Sequence, residues 1–166
     1  MSIQVNQIQP TDVAALSSMW QFYLFDSSER EQLDVDSSGR FESPDQLFND
    51  VGNAREGSSG YLMHCDGNLA GFLIAGPAEI EGKQITEFAD LFVLPRYRGR
   101  GVASAVIQQV VISSIQPWLI AVFRDDLSAL GFWRRAFERL PFASVREVIP
   151  PEIPKFHEFI VQECDA

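Results

Sequence analysis

Leu91-Phe92-Val93-Leu94-Pro95-Arg96-Tyr97-Arg98-Gly99-Arg100-Gly101-Val102-Ala103 is the stretch that decides how this chain is read. Four apolar residues in a row read as a strand, and Pro95 ends it because proline has no N–H to give to a sheet. Two glycines then turn the chain, and Val102, Ala103, Ala105, Val106 and Val110 recur as the apolar face of a helix. That order leaves bare backbone N–H groups at a helix N-terminus, where the helix dipole adds about half a positive charge. Such a corner can bind phosphate. An ordinary strand-to-helix turn, with glycine serving tight geometry, is the other reading of the same residues.

Two better-known phosphate loops are excluded. The stretch lacks the Gly-Lys-Ser/Thr ending of a nucleoside-triphosphate loop. It also lacks three-glycine dinucleotide spacing and lies too late in the chain to follow a first strand.

Working outward, Ile3, Val5 and Ile8 suggest a short strand ended by Pro10. Thr11 is placed to cap a helix whose apolar positions are Val13, Leu16, Met19, Trp20 and Tyr23. The stretch from Asp26 to Phe41 is polar and reads as loop. Ser43-Pro44-Asp45-Gln46 has the form of a capping box with proline at the first helical position. Tyr61 to Cys65, Asp66-Gly67 and Leu69 to Ala75 form a predicted hairpin. Ile85 to Leu94 is the next strand and Val102 to Ser114 the next helix. A strand over Trp118 to Phe123, a helix over Ser128 to Leu140, and strands over Ala143 to Ile149 and Lys155 to Val161 complete the chain. The order β-α-α-β-β-β-α-β-α-β-β describes a mixed α/β domain with helices on both faces of one sheet.

Length bounds the rest. A chain of 166 residues, 46% hydrophobic, fits one domain over 1–166 with a substantial core. A formal net charge of −10 argues against nucleic acid, which selects basic surfaces. It suits a cationic small substrate or simply solubility. Two cysteines, Cys65 and Cys164, have no metal-ligand spacing and read as free thiols in a reducing compartment. No metal site is expected. Without a leader or an apolar run of about 20 residues, the chain is expected to be cytoplasmic and away from membranes.

The Arg96-x-x-Gly99-x-Gly101 loop, after Asp90-Leu-Phe-Val and a proline, resembles the acyl-coenzyme A loop of the GNAT superfamily of N-acetyltransferases. The element order is similar to that fold over nearly the whole chain. A second stretch agrees: Asp126-x-x-Ala129-x-x-Phe132-Trp133, then Leu140-Pro141-Phe142, resembles the family's Asn-x-x-Ala-x-x-Phe-Tyr followed by Gly-Phe.

The resemblance implies acetyl transfer from acetyl-CoA to a primary amine of a small molecule, by direct attack in a ternary complex. A non-catalytic acyl-CoA-binding module and a protein or peptide N-acetyltransferase are the alternatives. By similarity, amides from Arg98 or Gly99 through Arg100, Gly101, Val102, Ala103 and Ser104 would cradle the pyrophosphate, with Arg98 and Arg100 adding charge. The backbone of Leu91, Phe92 and Val93 would pair with the pantetheine arm, the Val93 amide facing the thioester carbonyl. Asp126, Ala129, Phe132 and Trp133 would line the arm's other side.

Asp90 and Glu87 are the candidates for the base or the amine-binding carboxylate; three residues apart on a strand, they point to opposite faces unless a bulge intervenes. The place of the family's general-acid tyrosine holds Trp133, whose indole supplies no proton at neutral pH. Tyr23, on the first helix, is a substitute acid, and the end of that helix with the loop to Phe41 forms the expected acceptor pocket. Trp133 as a packing residue, and His64 and His157 as satisfied sheet histidines, are the plainer readings. The acceptor's identity and the oligomeric state, a homodimer included, stay open.

Overall fold

The computed structural model describes residues 1–164; the last two residues of the expected 1–166 domain lie outside it. The chain runs β1 (Ile3–Gln7), α1 (Val13–Glu31), α2 (Asp45–Gly52), β2 (Ser59–Cys65), β3 (Asn68–Ile80), β4 (Lys83–Val93), α3 (Val102–Val106), β5 (Trp118–Phe123), α4 (Leu127–Arg139), β6 (Val145–Glu147) and β7 (Phe156–Val161). That is the expected order, element for element. The seven strands form one sheet in the order β1-β2-β3-β4-β5-β7-β6. Only β4 and β5 run parallel; every other neighbouring pair is antiparallel.

Each face of the sheet carries its own core. Leu73, Phe88, Ile120 and Phe159 meet Val102, Val106 and Ile107 from α3 and its continuation, and Leu130, Trp133 and Ala136 from α4. On the opposite face, Leu62, Phe72, Ile74 and Phe92 meet Leu16, Met19 and Trp20 of α1 and Phe48 and Val51 of α2. Phe72 and Leu73, neighbours on β3, are both fully buried, one in each core. Alternation along a strand covered on both sides explains this. Each such side chain contributes about 1.5–3 kcal/mol through burial.

Local signals were outcompeted in several places. The segment expected to be loop from Asp26 begins as helix, since α1 continues to Glu31 and closes on Gln32 in the left-handed conformation (φ 55°). Thr11 does not cap α1; a 3₁₀ turn over Pro10–Asp12 intervenes, and the Asp12 carboxylate accepts from the Gln9 N–H at 2.8 Å. Ser43 makes no capping box either, because its Oγ accepts from Gln21 Nε2 at 3.1 Å. β3 and β4 extend beyond the expected ends into a long hairpin joined at Glu81-Gly82. The helix after the glycine turn changes from α to π over Ile107–Ile112.

Two irregularities position the site. β4 pairs with β5 at only two places, Thr86 with Trp118 and Glu87 with Leu119. Beyond them the two strands part, leaving the β5-facing edge of β4 from Phe88 to Val93 without a strand partner. The second irregularity is a bulge. Ala75 pairs with Phe88 and Ile74 with Asp90, so Ala89 is an extra residue on β4.

Candidate active site

Glu87 and Asp90 lie on the same face, contrary to simple alternation. The bulge at Ala89 shifts the side-chain parity, so Phe88 and Leu91 point toward α3 and α4, while Glu87, Asp90 and Phe92 point toward α1. One inserted residue brings the two candidate carboxylates together. Their electrostatics agree with this placement. Burial raises Asp90 above the ordinary carboxylate range, the Tyr23 hydrogen bond opposes that shift, and Glu31 adds to it. Burial also raises Glu87, helped by the charges of Asp90 and Glu158.

Tyr23 reaches Asp90 from α1, its hydroxyl donating to Oδ1 at 2.9 Å. The ring stands edge-on to Trp20 and Phe72, at centroid distances of 5.1 and 5.7 Å. Burial first, then the Asp90 charge, push the Tyr23 hydroxyl far above the ordinary phenol range. In this structure the Tyr23 proton is directed at Asp90.

The parted strands and the glycine turn form a continuous polar edge. Phe92 is buried against α1, and Leu91 and Val93 pack toward α3 and α4, so the side chains belong to the cores. At the turn, Gly99 and Gly101 have φ of +70° and +83°, which disfavour any residue with a Cβ. A Cβ built at Gly99 would meet nothing within 4 Å, and one at Gly101 only Ile3 Cδ1 at 4.0 Å. The space over the turn is therefore open. The first bond into the helix runs from the Ala105 N–H to the Gly101 carbonyl at 2.9 Å, so the amides of Val102, Ala103 and Ser104 precede it. An open surface, free amides and an unpaired strand edge fit a diphosphate with an amide-bearing arm.

Arg98 departs from expectation. Its Nε donates to the Val93 carbonyl at 2.8 Å and its Nη2 to Asp26 at 2.8 Å. Its side chain thus ties β4 to α1, while Arg100 is exposed. On α4, Asp126 accepts from the Ala129 N–H at 2.9 Å as the helix cap, and Arg30 stands 3.7 Å from it. Ala129 and Phe132 are partly buried beside that cap. Trp133 is buried and edge-on to Phe88 at 5.1 Å, which makes it core. His157 pairs with Glu147 at 2.8 Å, but buried His64 Nδ1 finds no partner, against the expectation of two satisfied histidines.

A cleft of about 470 Å³ opens at the end of α1, walled by Trp20, Leu24 and Phe41 with Glu31, Asp34 and Glu42 among its lining. Asp90 does not line it. Trp20, packed on Tyr23, and Glu31, whose charge reaches both Tyr23 and Asp90, join the cleft to the carboxylates. Gln21 holds the far wall: its Oε1 accepts from the Phe41 N–H at 2.9 Å while its Nε2 donates to the Phe41 carbonyl at 3.0 Å. Sequence reasoning missed Gln21 and Glu31, since a glutamine and a glutamate within a helix carry no local signal. Among the described residues no cluster suited to a metal ion exists, and no helix is long and apolar enough to cross a membrane.

Comparison with known proteins agrees with this geometry. The family described as Acetyltransferase (GNAT) family matches residues 16–137. No curated protein matches in sequence. Among solved structures, Arabidopsis thaliana Naa50 in complex with the bisubstrate analogue CoA-Ac-MVNAL is similar at 16% identity, covering 99% of this chain and 100% of that one, with a TM-score of 0.60. An acetyltransferase from Thermus thermophilus is 13% identical over 96% of each chain, with a TM-score of 0.60. An aminoglycoside acetyltransferase from an uncultured soil metagenomic sample, in complex with trehalose, is 14% identical over 81% of this chain and 86% of that one, TM-score 0.56. A family match across most of the chain, on a sheet whose β4 and β5 part beside an open glycine turn, identifies the chain as a member of the GNAT acetyltransferase family, an acetyl-CoA-dependent acyltransferase.

Proposed function

We propose that the protein acetylates a primary amine of a small cationic molecule, with Asp90 as the base. The observation that carries this reading is the Ala89 bulge, which sets Asp90 and Glu87 on the face of β4 that packs under α1, the helix whose Trp20, Leu24 and Glu31 line an acid-bearing cleft of about 470 Å³. That volume suits a small ligand. Acetyl-CoA supplies a thioester whose carbonyl carbon is attacked by the amine nitrogen as the C–S bond breaks.

The residues serve that event as follows. Val102, Ala103 and Ser104 hold the diphosphate through their amides, and Leu91 to Val93 orient the arm through their backbone. Asp90 draws a proton from the incoming ammonium, leaving the neutral nitrogen that attack requires. Burial raises its proton affinity, which makes it a stronger base than an exposed carboxylate. The protonated Asp90 returns that proton toward the departing sulfur, or releases it to solvent while the sulfur leaves as thiolate. The freed carboxylate then takes the second proton that the nitrogen sheds once the C–N bond has formed. Glu87 favours the cation electrostatically, and Tyr23 fixes the Asp90 carboxylate.

The peptide reading rests on Naa50, a structure solved with a peptide-bearing analogue. A thiol-release assay across diamines, aminoglycosides, amino acids and peptide N-termini separates the two. Turnover concentrated on small polycationic amines is expected; turnover on peptides alone would overturn the small-molecule reading. Gly101→Val should abolish the rise in Tm given by acetyl-CoA to the parent. A variant binding as well as the parent would remove the loop assignment.

A further inference from the structure

Phe123 is the last residue of β5 and forms the far lip of the gap that opens where β4 and β5 part. Thr86 pairs with Trp118 and Glu87 with Leu119, and the same step continued would set Leu91 against Phe123. Trp118, Ile120 and Val122 point into the core under α3 and α4. Phe123 therefore points to the other face, the one that carries Glu87 and Asp90. Arg30 agrees with that placement: its guanidinium comes from α1 to lie over the Phe123 ring, 4.7 Å from the centroid.

A second cation shares that ring. Lys155 Nζ stands 5.6 Å from the Phe123 centroid and 5.2 Å from that of Phe156, the cross-strand neighbour of Phe123 on β7. The root of this side chain is fixed. The Lys155 carbonyl accepts from the Arg124 N–H at 3.0 Å, and Arg124 Nε donates to the adjacent Pro154 carbonyl at 2.9 Å. The tip is free. Among the described residues Lys155 forms no ion pair, although the chain carries 23 acids. Its flexible four-carbon stem can swing from the two rings toward the gap. The chain has one other lysine, Lys83, which opens β4 at the hairpin tip. Lys83 and Val93 mark opposite ends of β4, roughly 30 Å apart at the rise of a strand. One lysine stands at the gap and the other far from it.

We infer that Lys155 is a self-acetylation site, its Nζ taking an acetyl group from acetyl-CoA held by the same molecule. This inference rests on the proposed course of the thioester arm along Leu91 to Val93, opposite Phe123. The Lys155 ammonium first gives up one proton to solvent, and the neutral nitrogen attacks the thioester carbonyl carbon. The C–N bond forms as the C–S bond breaks, and the departing thiolate takes the second proton that the nitrogen sheds. The products are acetylated Lys155, coenzyme A as its free thiol and one proton, so no further reactant is required.

Mass spectrometry of the full chain, incubated with acetyl-CoA and no amine acceptor, is the test. Peptide mapping should place an acetyl group on Lys155, added about tenfold or more faster than any on Lys83, since proximity favours the nearer amine. The rate constant should not change with protein concentration, as transfer within one molecule requires. Lys155 is exposed, so Lys155→Arg should keep the parent's Tm and a cation over Phe123, while taking up nothing beyond the slow background at Lys83. Equal rates at the two lysines, equal rates at Lys155 in the native and the urea-unfolded chain, or a rate constant that climbs with protein concentration overturns the inference. A rise in Tm with acetyl-CoA but no acetyl group on Lys155 also overturns it, and leaves the loop assignment standing. No rise in Tm and no acetyl group on Lys155 overturns the loop assignment itself, and the inference with it.

Discussion

Asp90 sits on the α1 side of β4 with one hydroxyl donor, Tyr23, and its ionised form is the state that burial penalises. Folding therefore raises its proton affinity. A raised carboxylate contributes stability below its unfolded pKa, and that contribution is lost as pH climbs through the folded value. Asp90→Asn removes the titration while keeping an oxygen to accept from Tyr23. The fall in Tm between about pH 4 and about pH 8 should be smaller in this variant than in the parent, by thermal denaturation. Its kcat should fall about 10²-fold or more, the usual loss when a base is removed. Tyr23→Phe tests positioning separately. It deletes the hydrogen bond that lowers Asp90, so the acidic limb of kcat/KM should move to higher pH while the plateau changes less. An unmoved limb would show that Tyr23 does not govern Asp90.

At the scale of elements, the approach of β3 to β4 carries the site. Gly71 pairs with Val93, and a Cβ there would press into the Phe92 carbonyl and stand 2.8 Å from Met63 Cε. Gly71→Ala should destabilise the fold by about 1–3 kcal/mol, the range for overpacking, measured by denaturant unfolding. It should also weaken acetyl-CoA binding, because the backbone displaced belongs to the strand proposed to meet the pantetheine arm. The loop before β7 has a comparable anchor. Glu158 is buried and accepts from the Glu152 and Ile153 amides at 2.6 and 3.1 Å. Glu158→Ala would leave both without that acceptor, at a cost of about 1–3 kcal/mol by unfolding measurements.

At the scale of the whole molecule, charge is divided rather than uniform. The chain carries 23 acids against 13 lysines and arginines, and its larger cleft has three acids in its lining. A smaller hollow, between α3 and α4, holds two arginines. Such a division draws a cation to one side of the sheet and an anion to the other. Steady-state kinetics should show the KM for a diamine rising as salt screens the acidic cleft.

Element order was legible in advance because it follows from apolar periodicity, proline and glycine, all local properties. The glycine turn was legible for the same reason: chirality makes a left-handed turn costly for most side chains. The joint face of Glu87 and Asp90 was not, since the Ala89 bulge exists only in register with β3. Nor was the Tyr23–Asp90 bond, between residues 67 positions apart, nor the redirection of Arg98 to Val93 and Asp26. The amino-acid order alone determined the sequence of strands and helices and where an open glycine turn would lead into a helix. Packing decided which charges meet, because burial and hydrogen-bond partners are properties of neighbours in space that no local window contains.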